Sequence, residues 1–156
     1  MSRVRIVILE DDSFTRSTVK AALQLQDFDV IHDSDSAVSV MKIATASKPD
    51  AVLLDLDLGQ GPTGIDVAHG LRRALPKVGI VLLTGFTDPR LLDPQIAALP
   101  AGARYIVKSK MHHVETLQRE ILASISDAAS ISKGLIAVSP HGILDIPTAQ
   151  LETLQL

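Results

Sequence analysis

Asp50-Ala51-Val52-Leu53-Leu54-Asp55-Leu56 holds four consecutive apolar residues that close on an aspartate. A short, continuous apolar run bounded by polar residues marks a strand covered on both faces, because a strand with one wet face would alternate. Similar runs lie on either side. Val4-Arg5-Ile6-Val7-Ile8-Leu9 and a weaker Phe28-Asp29-Val30-Ile31 precede it, and Gly79-Ile80-Val81-Leu82-Leu83 and Arg104-Tyr105-Ile106-Val107 come after it. Helical spacing separates these runs, over Phe14 to Gln26, Asp35 to Ser47, Gly64 to Leu75 and His112 to Ala128. In the last of these Val114, Leu117, Ile121, Leu122 and Ile125 share one face. Between Thr87 and Ala103, Pro89, Pro94 and Pro100 predict a short or broken helix, since an interior proline removes a donor and clashes one turn back. The alternation predicts an α/β fold, a doubly wound five-stranded parallel sheet between helix layers.

Composition narrows the function classes. The 156 residues are 46% hydrophobic and 21% charged, with a net charge of −3, as expected of an ordinary globular domain. The chain has no cysteine, so a disulfide framework and a thiolate zinc site are excluded, and any metal must sit on oxygen or imidazole. The apolar start of the chain is cut by Glu10-Asp11-Asp12, too soon for a secretory signal or a membrane span, which predicts a cytoplasmic location and no membrane partner. No basic stripe of the kind that tracks nucleic-acid backbones is present, so the chain alone is not expected to bind DNA.

In an open parallel sheet, chemistry collects beyond the carboxyl ends of the strands. The residues that end the runs are Glu10 and Asp11 after the first, Asp55 after the third, Thr84 after the fourth and Lys108 after the fifth. Taken singly each is an ordinary turn, cap or surface residue, and Asp12 is expected to cap the first helix. Together they form a set suited to phosphoryl transfer. Crowded carboxylates call for a hard divalent cation, and Mg²⁺ with oxygen ligands is expected. Asp11 and Asp55 would bind it directly, Glu10 through a water, and the backbone carbonyl of Asp57 would complete the shell. Asp55 then becomes a phospho-accepting nucleophile, Thr84 a hydroxyl donor to a phosphoryl oxygen and Lys108 its counter-charge. Gly85 is expected to keep the approach to Thr84 open. The five histidines are dispersed or adjacent and fit no metal pair, and Arg72-Arg73 read as a solvated helix face.

From Arg3 to about Asp127 these motifs resemble the response-regulator receiver family. Ile8-Leu9-Glu10-Asp11-Asp12 resembles its acidic pocket, and Pro49 to Leu56 the segment that ends in the phospho-acceptor. Pro62-Thr63-Gly64-Ile65-Asp66 resembles its glycine turn, Leu82-Leu83-Thr84-Gly85 its switch hydroxyl, and Ala101 to Lys108 its lysine-bearing last strand. The resemblance implies the flavodoxin/CheY-like strand order 2-1-3-4-5. It also implies a two-component switch phosphorylated by a histidine kinase, with Tyr105 as switch aromatic beside Thr84 and a homodimer as one output form. Such a protein is not a turnover enzyme, and its chemistry is confined to its own phosphorylation and dephosphorylation. Three departures stand out. Ser109 comes after Lys108 where the family has proline, which predicts a trans peptide. The proline-rich fourth crossover is unlike the family's, and Asp57 adds a carboxylate that would tune the lifetime of an acyl phosphate.

The stretch Leu144 to Leu156 resembles the opening of a LuxR-type helix-turn-helix domain of the NarL/FixJ regulators. The expected organisation is a receiver domain over 1–129, a linker over 130–145, and at 146–156 the start of a truncated LuxR-type domain. DNA would then be reached only through an output domain outside this chain. Two alternatives remain. One is a haloacid-dehalogenase-type phosphatase that uses Asp55 and Asp57 as its acidic pair, although nothing after Lys108 supplies that family's further acidic ligands. The other is a receiver-like interaction module that is never phosphorylated.

Overall fold

A computed structural model describes residues 3–56, 63–111, 113–134, 136–139 and 142–145. Its elements run β1 (Arg5–Leu9), α1 (Ser13–Leu25), β2 (Asp29–Ser34), α2 (Ala37–Ser47), β3 (Ala51–Asp55), α3 (Gly64–Ala74) and β4 (Gly79–Thr84). Beyond them lie α4 (Pro89–Ala97), β5 (Arg104–Val107), a 3-10 turn (Lys108–Lys110), α5 (Val114–Ser132), β6 (Ile136–Ser139) and β7 (Gly142–Asp145). β1 to β5 form the parallel sheet that the apolar runs predict, in the order β2-β1-β3-β4-β5 that the family resemblance implies.

The apolar runs are continuous because both sheet faces are covered. Strand side chains alternate between faces, so Val7, Leu9, Val52, Leu54, Ile80 and Leu82 meet Val40 and Ala44 of α2 and Val67, Ala68 and Leu71 of α3. Ile6, Ile8, Leu53, Val81, Leu83 and Ile106 meet Val19 and Leu23 of α1 and Leu117 and Ile121 of α5 on the other face. Every residue of β3 and β4 is buried. At roughly 1.5–3 kcal/mol for each fully buried Leu, Ile or Val, these two strands carry much of the core.

Local expectations are revised at several places. β2 runs three residues past its apolar part, through His32, Asp33 and Ser34, because an edge strand keeps pairing with β1 after its side chains turn polar. α5 buries Leu117, Ile121, Ser124 and Ala128, whereas Leu122 is 44% exposed, so the core line is one residue round from the most apolar reading. A Cβ at Gly79 would lie 2.9 Å from the Ile125 backbone nitrogen and against Ser124 Oγ, so β4 and α5 approach closely enough that a glycine faces a small residue. The Arg72 side chain is no solvated helix face. Its Nη1 donates to the carbonyls of Pro76 at 3.0 Å and Val78 at 2.7 Å, tying the end of α3 to the start of β4. The fourth crossover is a nine-residue helix, α4, capped by the Asp88 side chain on Arg90 N, with Pro89 in its first turn and Pro94 inside it.

Within 130–145, α5 continues to Ser132, and β6 and β7 pair as an antiparallel hairpin from Ile136↔Asp145 to Ser139↔Gly142. Residues 146–156, with the expected LuxR-type start, and Asp57 lie outside the described residues. Among the described residues no helix is long and apolar enough to cross a membrane.

Candidate functional site

The end of β1 is held before its side chains are considered. Glu10 N donates to Ser34 O of β2 at 3.0 Å, and Asp12 caps α1 by accepting from Thr15 N at 2.8 Å, as expected of it. The chain therefore turns from strand to helix within three residues, and Glu10 and Asp11 are presented at the sheet's carboxyl end. Glu10 is fully buried and Asp55, the last residue of β3, is 2% exposed, while Asp11 lies open to solvent. One carboxylate oxygen from each of the three lies within 4.8 Å of the others.

Lys108 enters from the far side. Its ammonium donates to Glu10 Oε1 at 3.1 Å and lies 3.2 Å from Asp55 Oδ1. No cis peptide occurs among the described residues, so Lys108 reaches both carboxylates from the trans Lys108–Ser109 bond. Thr84 ends β4, pairs in register with Val107 and is 2% exposed; its hydroxyl oxygen accepts from Phe86 N at 3.0 Å. A Cβ on Gly85 would meet nothing of the protein within 4 Å, so no neighbouring residue requires a glycine there. The glycine that clearance requires is Gly64. A Cβ there would lie 2.9 Å from Leu56 Cα and run into the Asp55 carbonyl. Gly64 N donates to Leu56 O at 3.2 Å, so the start of α3, closed by a Thr63–Asp66 capping box, is laid on the backbone of Asp55 and Leu56.

The electrostatics arise from burial and crowding. Burial, then a hydrogen bond with Asp11, then the charge of Glu10 push the Asp55 carboxyl up to about 7, against the pull of Lys108. Burial works against the Lys108 ammonium, yet Glu10 and Asp55 hold its pKa above the ordinary lysine value. Glu10 Oε2 is buried with no hydrogen-bond partner, which is costly for a carboxylate oxygen. An oxygen-only cluster with an unsatisfied buried oxygen and one open carboxylate fits a hard divalent cation such as Mg²⁺, with Glu10, Asp11 and Asp55 as the residues able to hold it.

Tyr105 is 39% exposed and lines, with Thr84, Leu56, Leu92 and Leu99, a narrow and nearly filled cleft between β4, β5 and α4. His32 and His69 are engaged elsewhere, on Ser39 and on the carbonyl of Ala98. Sequence reasoning passed over Arg16 and Asp33. Arg16 Nη1 donates to the Glu10 carbonyl at 2.8 Å, and its Nε lies 3.3 Å from Asp33 Oδ2. The available signal was a cation in the first turn of a helix, where the dipole disfavours it.

The chain belongs to the response regulator receiver domain family, whose model matches residues 6–122. It is 29% identical over 151 residues to the transcriptional regulatory protein PrrA of Mycobacterium leprae, covering 94% of this chain and 61% of PrrA. To the transcriptional regulatory protein LiaR of Bacillus subtilis it is 28% identical over 107 residues, covering 68% of this chain and 49% of LiaR. The chain thus spans only about half to six-tenths of these regulators. Among solved structures, the signal receiver domain of the putative response regulator NarL from Mycobacterium tuberculosis superposes with a TM-score of 0.61. It is 22% identical and covers 86% of this chain and 99% of that one, a likeness of fold.

Proposed function

We propose that this receiver domain is a phosphorylation-dependent switch that takes a phosphoryl group from a histidine kinase onto Asp55. The observation that carries the reading is the meeting of Asp55, Glu10, Asp11 and Lys108, from three strand ends, within one hydrogen-bonded and ion-paired cluster. In the reaction an Asp55 carboxylate oxygen attacks phosphorus. The O–P bond forms as the N–P bond of the donor phosphohistidine breaks, and the leaving imidazole nitrogen keeps the electron pair and is protonated. Bound Mg²⁺ would offset the repulsion between the carboxylates and the incoming phosphoryl oxygens. Lys108 exchanges its contact with Asp55 for a phosphoryl oxygen, and the Thr84 hydroxyl turns from Phe86 N to donate to another. Attack of water on phosphorus later returns Asp55 to a carboxylate. The participation of the Asp57 carbonyl rests on sequence alone.

The readout runs through Thr84. Its movement toward the phosphoryl group empties space in the cleft that Tyr105 borders, and inward rotation of Tyr105 would bias the β5–α4 surface between two states. The names of PrrA and LiaR support a transcriptional role. A DNA-binding output domain of the NarL/FixJ type, a cytoplasmic setting and a homodimer as one output form complete the reading as what the family resemblance implies. The receiver would occupy 1–129, with a linking segment over 130–145 and the start of the output domain at 146–156. The deciding experiment is intact-mass measurement after incubation with Mg²⁺ and acetyl phosphate. One added phosphate, lost in base and absent from Asp55→Asn, is expected. No adduct, in a chain that also fails to bind beryllofluoride, would overturn the reading, as would steady phosphate release from generic monoesters.

A further inference from the structure

We propose that Arg16 is a positioning residue for the carboxylate cluster: through the Glu10 carbonyl it sets the aim of Glu10 and Asp11, and so the affinity of the site for Mg²⁺. The inference rests on the proposed metal-dependent switch and adds a residue outside the cluster to it. Arg16 lies in the first turn of α1, where the exposed N–H groups of a helix disfavour a cation, so its place is not explained by helix stability. Helical side chains lean toward the N-terminus. The guanidinium accordingly reaches back past the start of the helix, donating from Nη1 to Glu10 O at 2.8 Å.

The far side of the guanidinium is anchored. Its Nε faces Asp33 Oδ2 at 3.3 Å, and Lys20, one turn further along α1, donates to Asp33 Oδ1 at 3.0 Å. Asp33 is itself fixed, because it pairs with Ile8 in the β1–β2 register. Glu10 therefore has both main-chain groups bound, its N–H to Ser34 O and its carbonyl to Arg16. The carbonyl belongs to the peptide unit that joins Glu10 to Asp11. A peptide unit is planar, so holding its oxygen fixes the plane from which both carboxylate-bearing residues depart.

Charge and position predict opposite results when Arg16 is removed. By Coulomb's law alone, loss of a cation near three carboxylates tightens Mg²⁺ binding. Loss of a supporting hydrogen bond weakens it, by about tenfold on the scale of such outer contacts. The test is a calorimetric Mg²⁺ titration of the full chain, its Arg16→Ala, Arg16→Lys and Lys20→Ala variants, with thermal unfolding in EDTA for each. The expected results are roughly tenfold weaker binding for Arg16→Ala and an intermediate loss for Arg16→Lys, whose single ammonium cannot span Glu10 O and Asp33. Lys20→Ala, which removes equal charge without touching Glu10, should stay within about twofold of the parent. Unchanged or tighter binding in a folded Arg16→Ala overturns the inference while leaving the switch intact. If Arg16→Ala does not fold, parent-like binding by Arg16→Lys overturns it. A parent chain that binds no Mg²⁺ removes the metal-dependent reading and this inference together.

Discussion

α5 and α4 flank the same end of one sheet and are built to different tolerances. α5 is long and buries Leu117, Ile121, Ser124 and Ala128, and it sits so close to β4 that Gly79 has no room for a side chain. α4 has nine residues, contains Pro94, leaves Leu91 54% exposed, and buries Leu92 at the cleft that Thr84 and Tyr105 line. The difference teaches that the scaffold under the carboxylates is held rigidly, while the element that would read their state is held by few contacts. Regions with little apolar burial open at lower free energy than the whole domain, which is what a bistable surface requires.

The contrast can be broken by measurement. Leu117→Ala on α5 should cost about 3 kcal/mol in urea unfolding, because a cavity is left where neighbours cannot collapse. Leu92→Ala on α4 should cost no more than roughly half of that; equal losses would refute the difference in packing. Gly79→Ala should destabilise by about 2–3 kcal/mol by forcing β4 and α5 apart, and a neutral result would show that their fit is loose.

The closely packed side has a weakness of its own, at Asp55. Its carboxyl, ordinarily near 3.8, is pushed up to about 7. Below the lower value the side chain is protonated in folded and unfolded chains alike. Between the two values the unfolded chain ionises and the folded chain resists, so stability falls as pH rises and levels off above the folded pKa. Without metal, Asp55→Asn should therefore gain on the parent from about pH 4 to 7, reaching on the order of 2 kcal/mol at pH 8. Mg²⁺ should narrow the gap by stabilising the parent. A difference that does not vary with pH would exclude a strained carboxylate. The smallest effect is expected at Leu91→Ala, within about 0.5 kcal/mol. There the sharper measurement is hydrogen exchange, with α4 amides exchanging well before those of β4 and α5.

The strands and most of the cluster were legible in the sequence because each strand is a continuous apolar run and the informative residues are those that end it. Glu10, Asp11, Asp55, Thr84 and Lys108 all stand at such ends, and a parallel sheet leaves strand ends nowhere else to go. The tail of β2 was not legible, since His32-Asp33-Ser34 pairs through backbone groups that composition does not report. Nor was the burial of Arg72 or the turn of α5 that leaves Leu122 outside, because both depend on what a neighbouring element brings within reach.

Residue order alone therefore determines the α/β class, the membership of the cluster and its oxygen-only donor set, since each rests on local hydrophobicity or side-chain chemistry. Distances are different, because they are fixed by contacts between residues far apart in the chain. Folding brought Lys108 within 3.2 Å of Asp55, left Glu10 Oε2 buried without a partner, set Arg16 on the Glu10 carbonyl, and laid the start of α3 so close to Asp55 that position 64 has room only for glycine. Side-chain type says what a group can do, and only packing says what it can reach.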